Sequence, residues 1–235
     1  MKRTLNFRDL GGLPIQDGTV PKGLYMRSGK LSVVGSEQTA ELCRKHNIQC
    51  IIDLRSPGET EEFPDPVPDG VAYVQIPLLT DATIGITRDT GSDPMTILRK
   101  YRNDPAKLRS MMPDMPALYH SMMTDPYSRG QVNKVLDLLQ RNAEQGRGTL
   151  FHCTAGKDRT GIIAMALLMQ MGASEKTILK DYLRTNRAVR WDTLKKCIGI
   201  FLLTHNLSFV RFAYRCFMAN KEWLQLAMQA SPTSS

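Results

Sequence analysis

The chain has 235 residues, 42% of them hydrophobic, which suits one large domain with a sizeable core and excludes a disordered chain. Its formal charge of +8, from 31 Lys+Arg against 23 Asp+Glu, fits an anionic substrate, a nucleic acid or an anionic membrane face. The five cysteines, at 43, 50, 153, 197 and 216, are odd in number and include no Cys-x2-Cys pair, which speaks against a disulfide framework or a zinc site and for free thiols.

In chain order, residues 1–12 carry Arg3, Arg8 and Asp9 and no apolar segment, unlike a secretory signal peptide. The expectation is a cytoplasmic protein, with export by a route that needs no signal peptide left open. No stretch approaches the roughly 18 apolar residues of a membrane span. Residues 36–45 follow a helical pattern with Ser36 as a candidate N-cap. Apolar runs at 50–54, 71–77 and 149–153 read as strands of a mostly parallel sheet. The stretch 81–128 breaks the alternation, being rich in Met and Pro, with Asp93-Pro94 as a cap followed by proline at the first helical position. It reads as a helical insertion of two or three short helices, either a core extension or a lid. Residues 131–145 place Val132, Val135, Leu136 and Leu139 on one helical face and stop at Gly146. Residues 160–171 are apolar nearly all round, as in a buried helix that stops at Gly172. Helices are also expected at 174–186 and in two segments within 190–229. Strands alternating with helices predict an α/β fold in a single domain, 1–235.

The central signal is Phe151-His152-Cys153-Thr154-Ala155-Gly156-Lys157-Asp158-Arg159-Thr160-Gly161. A bare Cys-x5-Arg means little, but here the cysteine ends an apolar strand, a glycine sits mid-loop, and a buried helix opens at Thr160. Strand, tight loop and helix N-terminus aim successive N–H groups at one anion. The thiolate is the nucleophilic form of cysteine, and N–H donors, a helix N-terminus and a nearby arginine all favour it at Cys153. The planar fork of Arg159 matches two phosphate oxygens. The backbone of Thr154, Ala155, Gly156, Lys157 and Thr160 would line the anion, and the Thr160 hydroxyl is expected to donate to the Cys153 sulfur. His152 would fix the loop through its ring nitrogens. A leaving oxygen needs a proton, and Asp158, Asp81 and Asp125 are the candidate donors.

The loop resembles the signature of the protein tyrosine phosphatase superfamily, and its Lys157-Asp158 pair is similar to that of the atypical bacterial tyrosine and inositol-lipid phosphatases. Asn6-Phe7-Arg8-Asp9-Leu10-Gly11-Gly12, Arg27-Ser28-Gly29 and Ile51-Ile52-Asp53-Leu54-Arg55-Ser56 resemble further motifs of that group in the same order. The Trp-Pro-Asp triplet of other tyrosine phosphatases is absent. The resemblance implies a phosphotyrosine-phosphatase-like fold, a phosphocysteine intermediate, no metal and no cofactor. It points to Asp158 as the acid, with Asp81 as the alternative. It implies phosphotyrosine as substrate, with phosphoserine, phosphothreonine and phosphoinositides open, Lys157 then meeting a second phosphate. Asp53 and Arg55 would tie the N-terminal motif to the loop, with Asn6, Arg8 and Asp9 doing the same from the other side, and a bland pairing of Asp158 with Arg8 or Arg55 is compatible with its role as the acid. The expected partners are a phosphorylated protein or phosphoinositide and an anionic membrane surface; no nucleic-acid motif accompanies the charge, and a monomer is expected. Two other readings stay open: a thiol redox enzyme of the arsenate-reductase type, which needs a resolving cysteine, and a phospho-ligand binding module without catalysis.

Overall fold

A computed structural model describes residues 6–80 and 94–231, with 94–96 as backbone only. Its strands are β1 (Arg8–Asp9), β2 (Pro14–Ile15), β3 (Gly18–Thr19), β4 (Tyr25–Ser28), β5 (Ile48–Asp53), β6 (Ala72–Gln75) and β7 (Gly148–His152). Its helices are α1 (Ser36–Lys45), α2 (Pro57–Glu62), α3 (Pro94–Lys100), α4 (Pro105–Ser110), α5 (Met115–Thr124), α6 (Pro126–Glu144), α7 (Asp158–Gln170), α8 (Glu175–Thr204), α9 (Leu207–Phe217) and α10 (Lys221–Gln229).

Five strands form one sheet in the order β1-β4-β7-β5-β6, and β2 pairs with β3 in a separate ribbon. Only β1 runs antiparallel to its neighbour; β4, β7, β5 and β6 are parallel, as the apolar runs predict. All five residues of the central strand β7 are buried, because helices cover both faces of the sheet. On one face Met26, Ile51 and Leu150 pack against Leu42 and Cys43 of α1. On the other, Cys50, Ile52 and Phe151 join α6, α7 and α10 in the main core. The α/β class and the mostly parallel sheet hold.

Several boundaries differ from the sequence reading, each for a local reason. Gly35, not Ser36, is the N-cap of α1, and its φ of +83° suits only glycine. The 131–145 pattern extends back to Pro126, capped by the Asp125 carboxylate on the Ser128 N–H. Helix α8 does not stop near 186 but runs to Thr204, with no proline in its 30 residues. In the stretch read as an insertion, α3, α4 and α5 are helical, while Asp93 lies outside the described residues. Met115, Tyr119, Met122 and Met123 of α5 are buried in the main core.

Candidate active site

The inner strands end level. Ser28 of β4 and Asp53 of β5 both stand opposite His152 of β7, so Gly29, Leu54 and Cys153 emerge together at the carboxyl end of the sheet, the edge where open α/β sheets hold ligands. Cys153 is buried, 3% exposed. Five residues later the chain enters α7 at Asp158. Gly156 turns the loop at a φ of +62°, and a Cβ there would collide with the Ser28 carbonyl and reach 2.7 Å from the Gly29 nitrogen. Conformation and space each demand glycine.

The loop is gripped from behind by its carbonyls. The Lys30 N–H donates to Thr154 O (3.2 Å). Asn6 Nδ2 donates to Gly156 O (2.7 Å), and Arg27 Nη2 donates to the same oxygen (3.0 Å). The first-turn N–H groups of α7 have no intrahelical partner, and no loop carbonyl among the described residues accepts from residues 155–160.

Asp181 of α8 anchors that support. Its carboxylate accepts from Arg8 Nε (2.6 Å) and Arg27 Nη1 (2.7 Å) in a fully buried cluster. Burial works to raise the Asp181 carboxyl, and the Arg27 and Arg8 charges outweigh it and hold it below the usual carboxylate range. Burial pulls Arg27 down to about 10, Arg8 adding to the shift and Asp181 opposing it. Arg8 also donates to Asn6 Oδ1 (2.7 Å), fixing the amide that holds Gly156.

Arg159, buried in the first turn of α7, is clamped end-on by Glu59 of α2: Nη1 to Oε2 at 2.5 Å and Nη2 to Oε1 at 2.9 Å. The Thr154 hydroxyl donates to the same carboxylate (2.6 Å). Burial works against both charges. For Glu59, the Arg159 and Thr154 hydrogen bonds prevail and hold the carboxyl at about 2. For Arg159, Glu59 and the neighbouring Cys153 raise the pKa further. The end-on clamp leaves Arg159 Nε, on the side edge of the guanidinium, without a hydrogen-bond partner among the described residues, so one face of the fork is available to an anion.

Asp158, about a quarter exposed, has its Oδ1 fixed by the buried Tyr119 hydroxyl (2.5 Å), which in turn meets Tyr182 OH (2.6 Å). Burial, Asp158 and Tyr182 push Tyr119 well above the usual tyrosine range, so it stays a donor. The other oxygen, Oδ2, accepts no hydrogen bond among the described residues. A Cβ on Gly161 would stand 3.0 Å from the Tyr182 ring, so that glycine admits the tyrosine against α7.

The remaining residues singled out by sequence lie as follows. Lys157 differs from expectation: its ammonium is buried and donates to Cys216 O (2.7 Å) and Phe217 O (3.1 Å), capping the C-terminus of α9. The Thr160 hydroxyl is buried without a partner among the described residues, so it does not bond the Cys153 sulfur. Asp158 pairs with neither Arg8 nor Arg55. Asp81 lies outside the described residues, and Asp125 is an exposed helix cap. Asp53 and Arg55 bind each other (Nη2 to Oδ2, 2.6 Å) and Arg55 also binds Asp65 (2.8 Å); neither touches the N-terminal motif. They flank His152, whose Nε2 stands 3.2 Å from Asp65 Oδ2. Asp53, Asp65 and His152 bring metal-ligand atoms within 4.8 Å of one another, yet the Arg55 cation already spans the two carboxylates. Asp9 accepts from the Gly11 and Gly23 N–H groups and shapes the entry turn. Sequence reasoning missed Glu59, Asp181 and Tyr119. Only Glu59 had a signal, the Ser56-x-x-Glu59 capping box at α2.

Residues 1–231 match the model of a family described as the tyrosine phosphatase family. A protein of Cupriavidus necator named as a tyrosine-protein phosphatase is 31% identical over 77% of this chain and 60% of its own length. The triple specificity protein phosphatase PtpB of Mycobacterium tuberculosis is 30% identical over 78% of this chain and 67% of its own. The chain thus spans about three fifths to two thirds of the length of these relatives. The crystal structure of P. aeruginosa TpbA aligns over 97% of this chain and 94% of that one at 16% identity, with a TM-score of 0.39, too slight a likeness to bear on function.

Proposed function

Because the chain belongs to the tyrosine phosphatase family, we propose that it hydrolyses phosphate monoesters through a phosphocysteine, with phosphotyrosine as the main substrate. The observation that carries this reading is the convergence of three elements: Cys153 at the end of the central strand, unpartnered N–H donors at the start of α7, and Arg159 clamped so that its side edge stays open.

In this reading the phosphate oxygens lie against the loop N–H groups and the Arg159 edge. The Cys153 thiolate attacks phosphorus; the S–P bond forms as the bond to the leaving oxygen breaks, and that oxygen takes a proton from Asp158. Asp158 then removes a proton from water, whose oxygen attacks phosphorus, the S–P bond breaks, and inorganic phosphate leaves with the thiolate restored. Tyr119 holds Asp158 Oδ1 and leaves Oδ2 to carry the proton. Asp81 is the alternative acid.

The buried, carbonyl-bound Lys157 removes the support that its side chain lent to a second phosphate, and phosphotyrosine is therefore preferred over phosphoinositides. Phosphate release measured across phosphotyrosine, phosphoserine and phosphothreonine peptides and phosphoinositide micelles tests this. Turnover is expected first on phosphotyrosine; turnover confined to phosphoinositides would overturn the substrate assignment, and none on any would overturn the activity.

A further inference from the structure

Helix α8 carries an apolar stripe that faces solvent. Trp191, Leu194, Ile198, Phe201 and Leu202 fall within an arc of about 100° at 3.6 residues per turn. All are exposed, Trp191 by 60%, Ile198 by 52% and Leu202 by 65%. Thr193, Cys197 and Ile200, on another face of the same helix, are buried. So the stripe is a second apolar surface of this helix, five of the molecule's exposed large apolar side chains gathered on one face, while the others, such as Val33, Phe63 and Tyr127, lie on other elements.

Charge says what the stripe faces. Between Leu183 and His205 the sequence has five cations, Arg184, Arg187, Arg190, Lys195 and Lys196, and one acid, Asp192. All five cations are exposed. By helical position Arg184 and Arg187 continue the stripe toward the helix start, while Arg190 and Lys195 stand on either side of it. A second copy of the same face would bring the same five cations and one acid, so it offers no complementary charge. A nucleic acid would gain little from leucine and isoleucine. An anionic lipid surface satisfies both features, acyl chains taking the apolar residues and headgroups the cations, with a tryptophan among the residues at the boundary. No helix among the described residues is long and apolar enough to cross a membrane.

We propose that the outer face of α8, from Arg184 to Leu202, docks the protein on an anionic membrane surface. The face is distinct from the phosphate loop, and docking does not require turnover. The test is sedimentation of the full chain with vesicles of phosphatidylglycerol and phosphatidylcholine, against pure phosphatidylcholine, with tryptophan emission followed in parallel. Binding to the anionic vesicles and a blue shift are expected. The shift should vanish in Trp191→Phe, since the other tryptophan, Trp223, is buried. Leu194→Ser with Ile198→Ser and Leu202→Ser should abolish binding, and Arg187→Gln with Lys195→Gln should weaken it about fivefold per cation removed. Hydrolysis of a soluble aryl phosphate by these variants should match wild type, showing that they fold. Equal sedimentation with both vesicle types, unchanged binding by the variants, or a dimer in analytical ultracentrifugation that the serine variant dissolves would each overturn the proposal.

Discussion

Glu59 shows how one residue serves two ends. Its backbone and carboxylate close the capping box that starts α2, and the same carboxylate aims Arg159. Gln at this position keeps the shape and loses the charge. Glu59→Gln should therefore lower kcat/KM about 10- to 100-fold, since a small misplacement of a reacting group costs that much, while the fold persists by circular dichroism. A second prediction concerns the proton. Asp158→Asn should slow aryl phosphates with poor leaving groups strongly and those with good ones little, because a good leaving group needs no proton. Tyr119→Phe should show the same dependence on leaving group in weaker form, since Oδ1 loses its donor but the carboxyl remains. If Asp81→Asn shows that dependence and Asp158→Asn does not, the acid is Asp81. The loop was legible from residue types because Cys153, Gly156 and Arg159 sit close in sequence. The partners of Asp158 and Arg159 were not, because Tyr119 is 39 residues away and Glu59 is 100.

At the scale of elements, the loop is fixed by segments far apart in the chain. The Asn6–Arg8 entry, β4 and α8 converge on Asp181, and α9 is tied to the loop through Lys157. Removing one member of a buried ionic cluster leaves the others uncompensated. Asp181→Ala should cost about 3–5 kcal/mol in denaturant unfolding, more than Lys157→Met, which removes a helix-terminal cation. A loss below 1 kcal/mol for Asp181→Ala would contradict this account of the cluster. The same cluster explains why β4 escaped the sequence reading. Tyr25-Met26-Arg27-Ser28 is wholly buried, but Arg27 breaks the apolar run, and only a carboxylate 154 residues away makes its burial tolerable. The three other parallel strands were legible because each holds an uninterrupted apolar stretch, Cys50-Ile51-Ile52 in β5, Ala72-Tyr73-Val74 in β6 and Leu150-Phe151 in β7, with Asp53 coming only at the end of its strand.

Across the whole molecule, the paired carboxylates set the acid limit. Glu59 is held at about 2 against an ordinary 4.5, and Asp181 and Asp53 are shifted in the same direction. A depressed folded-state pKa contributes stability above the unfolded value that is lost as pH falls toward the folded one. The Glu59 contribution, roughly 3 kcal/mol, should thus be intact above pH 4.5 and disappear between there and about 2. Denaturant titrations against pH would show a shallower fall over that window in Glu59→Gln than in wild type. The class of fold was readable from the order of elements, and the candidate site from the spacing of its loop. The direction of the Lys157 side chain was not, since it depends on where α9 ends in space. The central claim is covalent catalysis by Cys153. The most direct test is acid quench of the wild-type chain during turnover of a phosphotyrosine peptide, followed by mass spectrometry of its proteolytic fragments. A phosphoryl adduct on the fragment holding Cys153, absent in Cys153→Ser, is the predicted result; turnover by clean Cys153→Ser, or an adduct on another residue, would contradict it.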